Sequence, residues 1–126
     1  MNYTSIKGKV IKGNKIGRQL GFPTANISTT DTLPEKGVYV AEIRIKDQNY
    51  YGIVNIGTRP TLDLSQLTVE VHILNFSDNI YDQIIEITPL QYIRKEMKFK
   101  TMEVLQLQME NDKGFALQWL QSHPTS

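Results

Sequence analysis

The sequence predicts a mainly β fold, an antiparallel β-barrel closed off by a C-terminal α-helix. Three observations predict it. Short runs of period-two alternation dominate the chain from Ser5 to Tyr92, turn-forming residues separate them, and one stretch of helical spacing follows from Thr101 to Leu120. With 126 residues, the chain fits a single domain, 1–126, and can bury a core without staples. No internal repeat, low-complexity tract or linker interrupts it.

The first strand reads as Ser5 to Ile11, with Ile6, Gly8 and Val10 on one face and Lys7 and Lys9 on the other. Lys12 to Lys36 reads as a long irregular stretch, broken by Gly13, Gly17, Gly21 and Pro23; so long a loop in a compact domain is usually functional. Val38 to Lys46 alternates cleanly, Asp47-Gln48-Asn49 suits a hairpin turn, and Tyr50 to Ile56 is its return strand. Gly57 to Gln66 reads as a loop holding Arg59-Pro60. Leu67 to Phe76 is the clearest strand: Leu67, Val69, Val71 and Ile73 form an apolar row, and Thr68, Glu70 and His72 the opposite one. Ser77 to Gln83 is a turn region, and Ile84 to Tyr92 a last strand in which Pro89 marks an edge or a bulge. Thr101 suits a helix cap. Leu105, Met109, Asp112, Ala116 and Leu120 then recur at helical spacing, with Val104, Phe115 and Trp119 widening a core-facing stripe and Gly114 placed to bend or break the helix.

Composition excludes several classes. With no cysteine there is neither a disulfide scaffold nor a thiolate metal site, which suits the cytoplasm. No apolar run nears the roughly 20 residues of a membrane span, and Met1 to Lys7 lead into no signal-peptide core, so no membrane association is expected. Net charge is +1 and names no partner, but its distribution is uneven: Lys7, Lys9, Lys12, Lys15 and Arg18 precede the first acidic residue, Asp31. A positive end suits an anionic ligand, or is simply a solvated basic surface. Two histidines, His72 and His123, cannot build a His-rich metal site, and neither G-x-x-x-x-G-K-[ST] nor G-x-G-x-x-G is present.

The informative stretch is Gly8 to Asn26, G-K-V-I-K-G-N-K-I-G-R-Q-L-G-F-P-T-A-N. Its four glycines let backbone approach a ligand closely, and Lys15 and Arg18 put cations beside the exposed amides, a combination that cradles phosphate. Thr24 and Asn26 then offer a hydroxyl and an amide oxygen, hard donors of the kind Mg²⁺ takes alongside nucleotide oxygens. Taken alone, the stretch also fits an ordinary loop.

The stretch resembles the ATP-binding signature of riboflavin kinases, G-x-V-x-x-G followed by G-R-x-L-G-[FY]-P-T-A-N. Four further segments resemble that family in order: Pro34 to Tyr39 (P-x-x-G-V-Y), Asn55 to Thr61 (N-I-G-x-R-P-T), Glu70 to Leu74 (E-x-H-L-L) and Ile93 to Phe99 (I-R-x-E-x-K-F). The resemblance as a whole runs from about Tyr3 to Leu120. The resemblance implies a six-stranded antiparallel, Greek-key-like barrel with a C-terminal helix, and transfer of the γ-phosphate of ATP to the 5′-hydroxyl of riboflavin, giving FMN and ADP with Mg²⁺. It implies that Thr24 and Asn26 serve Mg-ATP, metal included, and that Gly13, Gly17 and Arg18 cover the phosphates. Glu70, by pattern alone a solvent-facing strand residue, becomes the catalytic base. The segment carrying Arg94 is, in the family, part of a mobile flap over the flavin, which makes Arg94 the candidate substrate-binding residue; it either contacts phosphate or lies on the surface. His72 orients Glu70 or packs nearby, and Arg59 is structural. The family often has Tyr-Gly where this chain has Tyr81-Asp82, so Asp82 must tolerate positive φ if the turn is kept. In many prokaryotes such a kinase is fused to an FMN adenylyltransferase, so this chain reads as either free-standing or excised from a bifunctional enzyme. The rival reading is a small nucleic-acid-binding barrel using the basic end with Tyr39, Tyr50 and Tyr51; it leaves the Gly-rich loop and P-T-A-N unexplained, so no nucleic-acid partner is expected.

Overall fold

A computed structural model describes residues 3–14, 23–60, 65–76 and 78–124. Six antiparallel strands, β1 (Ile6–Asn14), β2 (Thr24–Ser28), β3 (Gly37–Ile45), β4 (Gln48–Pro60), β5 (Ser65–Ile73) and β6 (Ile84–Arg94), precede helix α1 (Met102–Ser122). The strands close into a barrel in the order β1-β2-β5-β4-β3-β6. β3, β4 and β5 form a meander and β2 returns beside β5, which is a Greek key.

Alternation explains the interior. Ile6, Val10, Ile27, Tyr39, Ala41, Ile43, Val54, Val71 and Ile87 point inward and are buried. Tyr39 sits between Tyr3 and Tyr92, edge-on to both at ring-centroid separations of 5.2 and 5.3 Å, and its hydroxyl donates to the Glu35 carbonyl, so the buried phenol keeps a partner.

Several sequence expectations are corrected. β2 lies within the stretch read as irregular, and β1 runs on to Asn14. β2 has only five residues, so too few alternations exist to reveal it. The β3–β4 turn is Lys46-Asp47, one residue earlier than read, with Lys46 at φ 57°; Gln48 and Asn49 already pair in the strand. The loop read over Gly57 to Gln66 is strand at both ends, because β4 and β5 stay paired out to Pro60↔Ser65. Leu67, placed in the apolar row, is exposed.

Pro89 resolves as a bulge. Val40 faces Gln91 and Ala41 faces Pro89, so Leu90 is the extra residue, and a closed barrel offers no edge. Asp82 takes φ 73°, the conformation the family's glycine would allow, and Lys9 pairs with its carboxylate at 3.3 Å. Helix α1 starts as read: the Thr101 hydroxyl accepts from the Val104 amide at 3.2 Å. It runs unbroken through Gly114, and it packs with a narrower stripe than expected. Asp112 and Ala116 are buried, Val104 and Phe115 are exposed. The helix lies against the outside of β4. No described helix is long and apolar enough to cross a membrane.

Candidate active site

Side chains that alternate away from the core form a second, polar surface on the outside of the barrel wall. On β2, Ala25 and Ile27 turn inward, leaving Thr24 and Asn26 outside. On β5, Val69, Val71 and Ile73 turn inward, leaving Glu70 and His72 outside. Register then brings them together, since Asn26 is the cross-strand partner of Glu70, which in turn partners Asn55 on β4. The Thr24 hydroxyl donates to Glu70 Oε2 at 3.1 Å. Cross-strand neighbours on rigid strands are held with little freedom, which is what a reacting constellation requires.

Asn26 is the anomaly. It is 8% exposed, and its Oδ1 is buried without a hydrogen-bond partner. A buried unpaired acceptor costs about 1–3 kcal/mol, so it calls for an explanation, and a ligand is one. Asn26 also lines a cleft of about 750 Å³ bounded by Ile11, Ser28 to Leu33 and Gln66 to Val69.

His72 fixes the start of β2. Its Nδ1 lies 2.8 Å from the Pro23 carbonyl and donates to it. Burial lowers the His72 pKa, the hydrogen bond to Pro23 opposes that shift, and the Lys113 ammonium adds to it. A largely neutral imidazole therefore ties β5 to the residue preceding Thr24.

Arg94 stands at the far end of the same row. Ile93 is bulged out between the Tyr39↔Tyr92 and Val38↔Arg94 pairs. That extra residue puts Tyr92 against the core and Arg94 on the outer wall. Across β6, β3, β4, β5 and β2 the register reads Arg94, Val38, Asn55, Glu70, Asn26. Three strand spacings, about 14 Å along the sheet, separate Arg94 from Glu70. The Arg94 guanidinium grips Asp112 of α1 bidentately, at 2.9 and 2.7 Å, donates to the Lys95 carbonyl at 3.1 Å, and lies 5.8 Å from the Phe99 ring centroid. Gln108 donates to the same carboxylate at 3.0 Å.

The structure thus gathers Thr24, Asn26 and Glu70, and leaves Arg94 apart from them, three strands away on β6 and bonded to Asp112 of α1. Gly13 pairs with Ala25 through the β1–β2 ladder, which sets its backbone alongside Thr24 and Asn26. Gly17 and Arg18 lie outside the described residues. Sequence reasoning gives Asn55, Glu96 and Asp112 no role in the site. For Asp112 a signal existed, because a carboxylate in an apolar helical stripe needs a buried cation.

The family model described as Flavokinase, riboflavin kinase, matches residues 1–120. The chain belongs to the riboflavin kinase family. Among curated relatives of that family, the bifunctional riboflavin kinase/FMN adenylyltransferase of Haemophilus influenzae is 44% identical over 109 residues, 85% of this chain and 35% of that protein. The chain thus spans about a third of the length of such relatives. A solved structure described as riboflavin kinase from Trypanosoma brucei superposes with TM-score 0.63 at 26% identity, covering 95% of this chain and 80% of that one. Another, described as a macrolide-efflux protein from Streptococcus pneumoniae, gives TM-score 0.84 at 32% identity, covering 91% of this chain but 38% of that one.

Proposed function

We propose that this chain transfers the γ-phosphate of ATP to the 5′-hydroxyl of riboflavin, giving FMN and ADP, with Glu70 as the base. Support comes from family membership, and one observation carries the residue assignment: Thr24 and Asn26, two hard-oxygen side chains of β2, stand beside the Glu70 carboxylate on a single wall. A primary hydroxyl is a weak nucleophile at neutral pH, and a carboxylate in hydrogen-bond reach takes its proton as the phosphoryl group arrives. Glu70 takes that part. Thr24 orients the carboxylate by donating to Oε2 and keeps its own lone pairs for a cation.

The residues fit Mg²⁺. The unpaired Asn26 Oδ1 and the Thr24 hydroxyl are donors of the right hardness. No group of three or more His, Asp or Glu that could hold an ion exists among the described residues. Mg²⁺ needs no such cage, because substrate phosphates and waters complete its shell. When bound it offsets charge on the transferring oxygens. Within the same proposal Gly13, Gly17 and Arg18 cover the phosphates and Arg94 lies on the flavin side. The same proposal has the enzyme work in the cytoplasm, and has the FMN it makes serve an adenylyltransferase module like the one named in the bifunctional relatives.

Incubating the purified chain with riboflavin, ATP and Mg²⁺, then separating products by chromatography, tests the proposal. FMN and ADP in equal amounts are expected. Riboflavin recovered unchanged under conditions where the chain is folded overturns it.

A further inference from the structure

The ladder between β3 and β4 ends at Gly37↔Ile56, but β4 continues to Pro60 with β5 alone as neighbour. Just past that point the Thr58 amide donates to Glu96 Oε2 at 2.8 Å, and the Thr58 hydroxyl to Oε1 at 3.3 Å. A side chain from the segment joining β6 to α1 thus stands where a strand neighbour has run out. The carboxylate lies directly over Gly57: a Cβ built there would come within 2.2 Å of Oε2. Two residues back on β4 is Asn55, the cross-strand partner of Glu70. The same segment is pinned at its start by Arg94 on Asp112.

We infer that Glu96 is a positioning residue, seating segment 95–101 against the wall that carries Glu70 and so fixing the flavin side of the site. This rests on the riboflavin kinase reading above. In-line transfer puts donor and acceptor on opposite sides of the phosphoryl group. Thr24 and Asn26 take the nucleotide on the β2 side of Glu70. The acceptor alcohol is left with the β4 side, where Glu96 holds the segment.

Gly57→Ala is the incisive variant. The added methyl meets the far end of a flexible side chain, so it dislodges the carboxylate while leaving Glu96 in the sequence. In the full chain, Gly57→Ala and Glu96→Ala should each raise the KM for riboflavin roughly tenfold, the scale of one lost charge-assisted hydrogen bond, with the KM for ATP within about twofold. The double variant should be no worse than Glu96→Ala, because both remove one contact. Glu96→Gln, which keeps an acceptor for the Thr58 amide, should recover most of the affinity. Hydrogen exchange at the Thr58 amide should quicken in Gly57→Ala and Glu96→Ala, and melting curves keep folding losses separate. Riboflavin affinity, also read by flavin fluorescence, that is unchanged in folded variants overturns the inference, as do additive effects in the double variant. Failure of the unsubstituted chain to make FMN or bind riboflavin overturns the kinase reading, and this inference with it.

Discussion

At the scale of the residue, the role proposed for Glu70 rests on its neighbours. Thr24 donates to it, and register sets it between Asn26 and Asn55. Glu70→Gln keeps the shape and removes the proton acceptor, so kcat should fall roughly 100-fold or more while the melting temperature holds. A variant with near-normal turnover removes Glu70 from the role. Asn26 carries a sharper prediction, because its orphaned oxygen is a burden to the free protein. Asn26→Ala should leave the melting temperature without ligand unchanged or higher, yet abolish most of the stabilisation that Mg-ATP confers. Loss of riboflavin affinity with Mg-ATP stabilisation intact contradicts the assignment. His72 adds a dependence on pH. Burial holds its folded pKa below the ordinary 6.5. Between the folded value and 6.5 the unfolded chain therefore binds more protons, and stability rises with pH across that window, levelling off above it. Urea titrations from pH 8 down to pH 5 should show this slope, and His72→Gln should flatten it.

Among the elements, α1 carries the clearest energetics. Its contact with the barrel is anchored by the Arg94–Asp112 pair, whose side chains are 17% and 6% exposed. Removing one partner strands the other charge in a poorly hydrated place. Asp112→Ala should cost about 3–5 kcal/mol in denaturant unfolding, and a paired Arg94→Met/Asp112→Leu exchange much less. Equal losses in both variants refute a buried-charge origin. Gly114 stands at the opposite extreme, inside the helix with nothing within 4 Å of a built Cβ. Legibility varied between elements for physical reasons. β3 and β5 are long and alternate, so period two announced them. β2 did not announce itself, since five residues with Asn26 buried on the outer face break the simple pattern. The helix was readable from its spacing and Thr101 cap, but its contact stripe was overdrawn, because Val104 and Phe115 are apolar without being covered. Within the candidate site, Thr24, Asn26 and Glu70 were named by motif alone. Their adjacency depends on β2–β5 pairing across more than forty residues, which no local pattern encodes.

For the whole molecule, closure matters most. The inner faces of the strands make the core and the outer faces carry the candidate site, so one sheet serves both and distortion of either reaches the other. A closed ring has no edge where strain can escape. Gly52 tests this coupling. A Cβ there would lie 2.1 Å from the His72 carbonyl oxygen, which is backbone and cannot swing aside. Relief requires spreading β4 from β5, the two strands that hold Asn55 opposite Glu70. Gly52→Ala should therefore lower stability by about 1–3 kcal/mol, the usual cost of overpacking, and reduce kcat in the surviving folded fraction as well. Gly57→Ala, five residues along the same strand, meets only the movable end of Glu96 and leaves the β4–β5 ladder in place, so kcat per folded molecule should be kept. Comparing kcat per folded molecule in the two variants decides the point. If Gly52→Ala loses stability but keeps full turnover, the site tolerates a spread wall, and pairing of β4 with β5 is not what holds Glu70 in place.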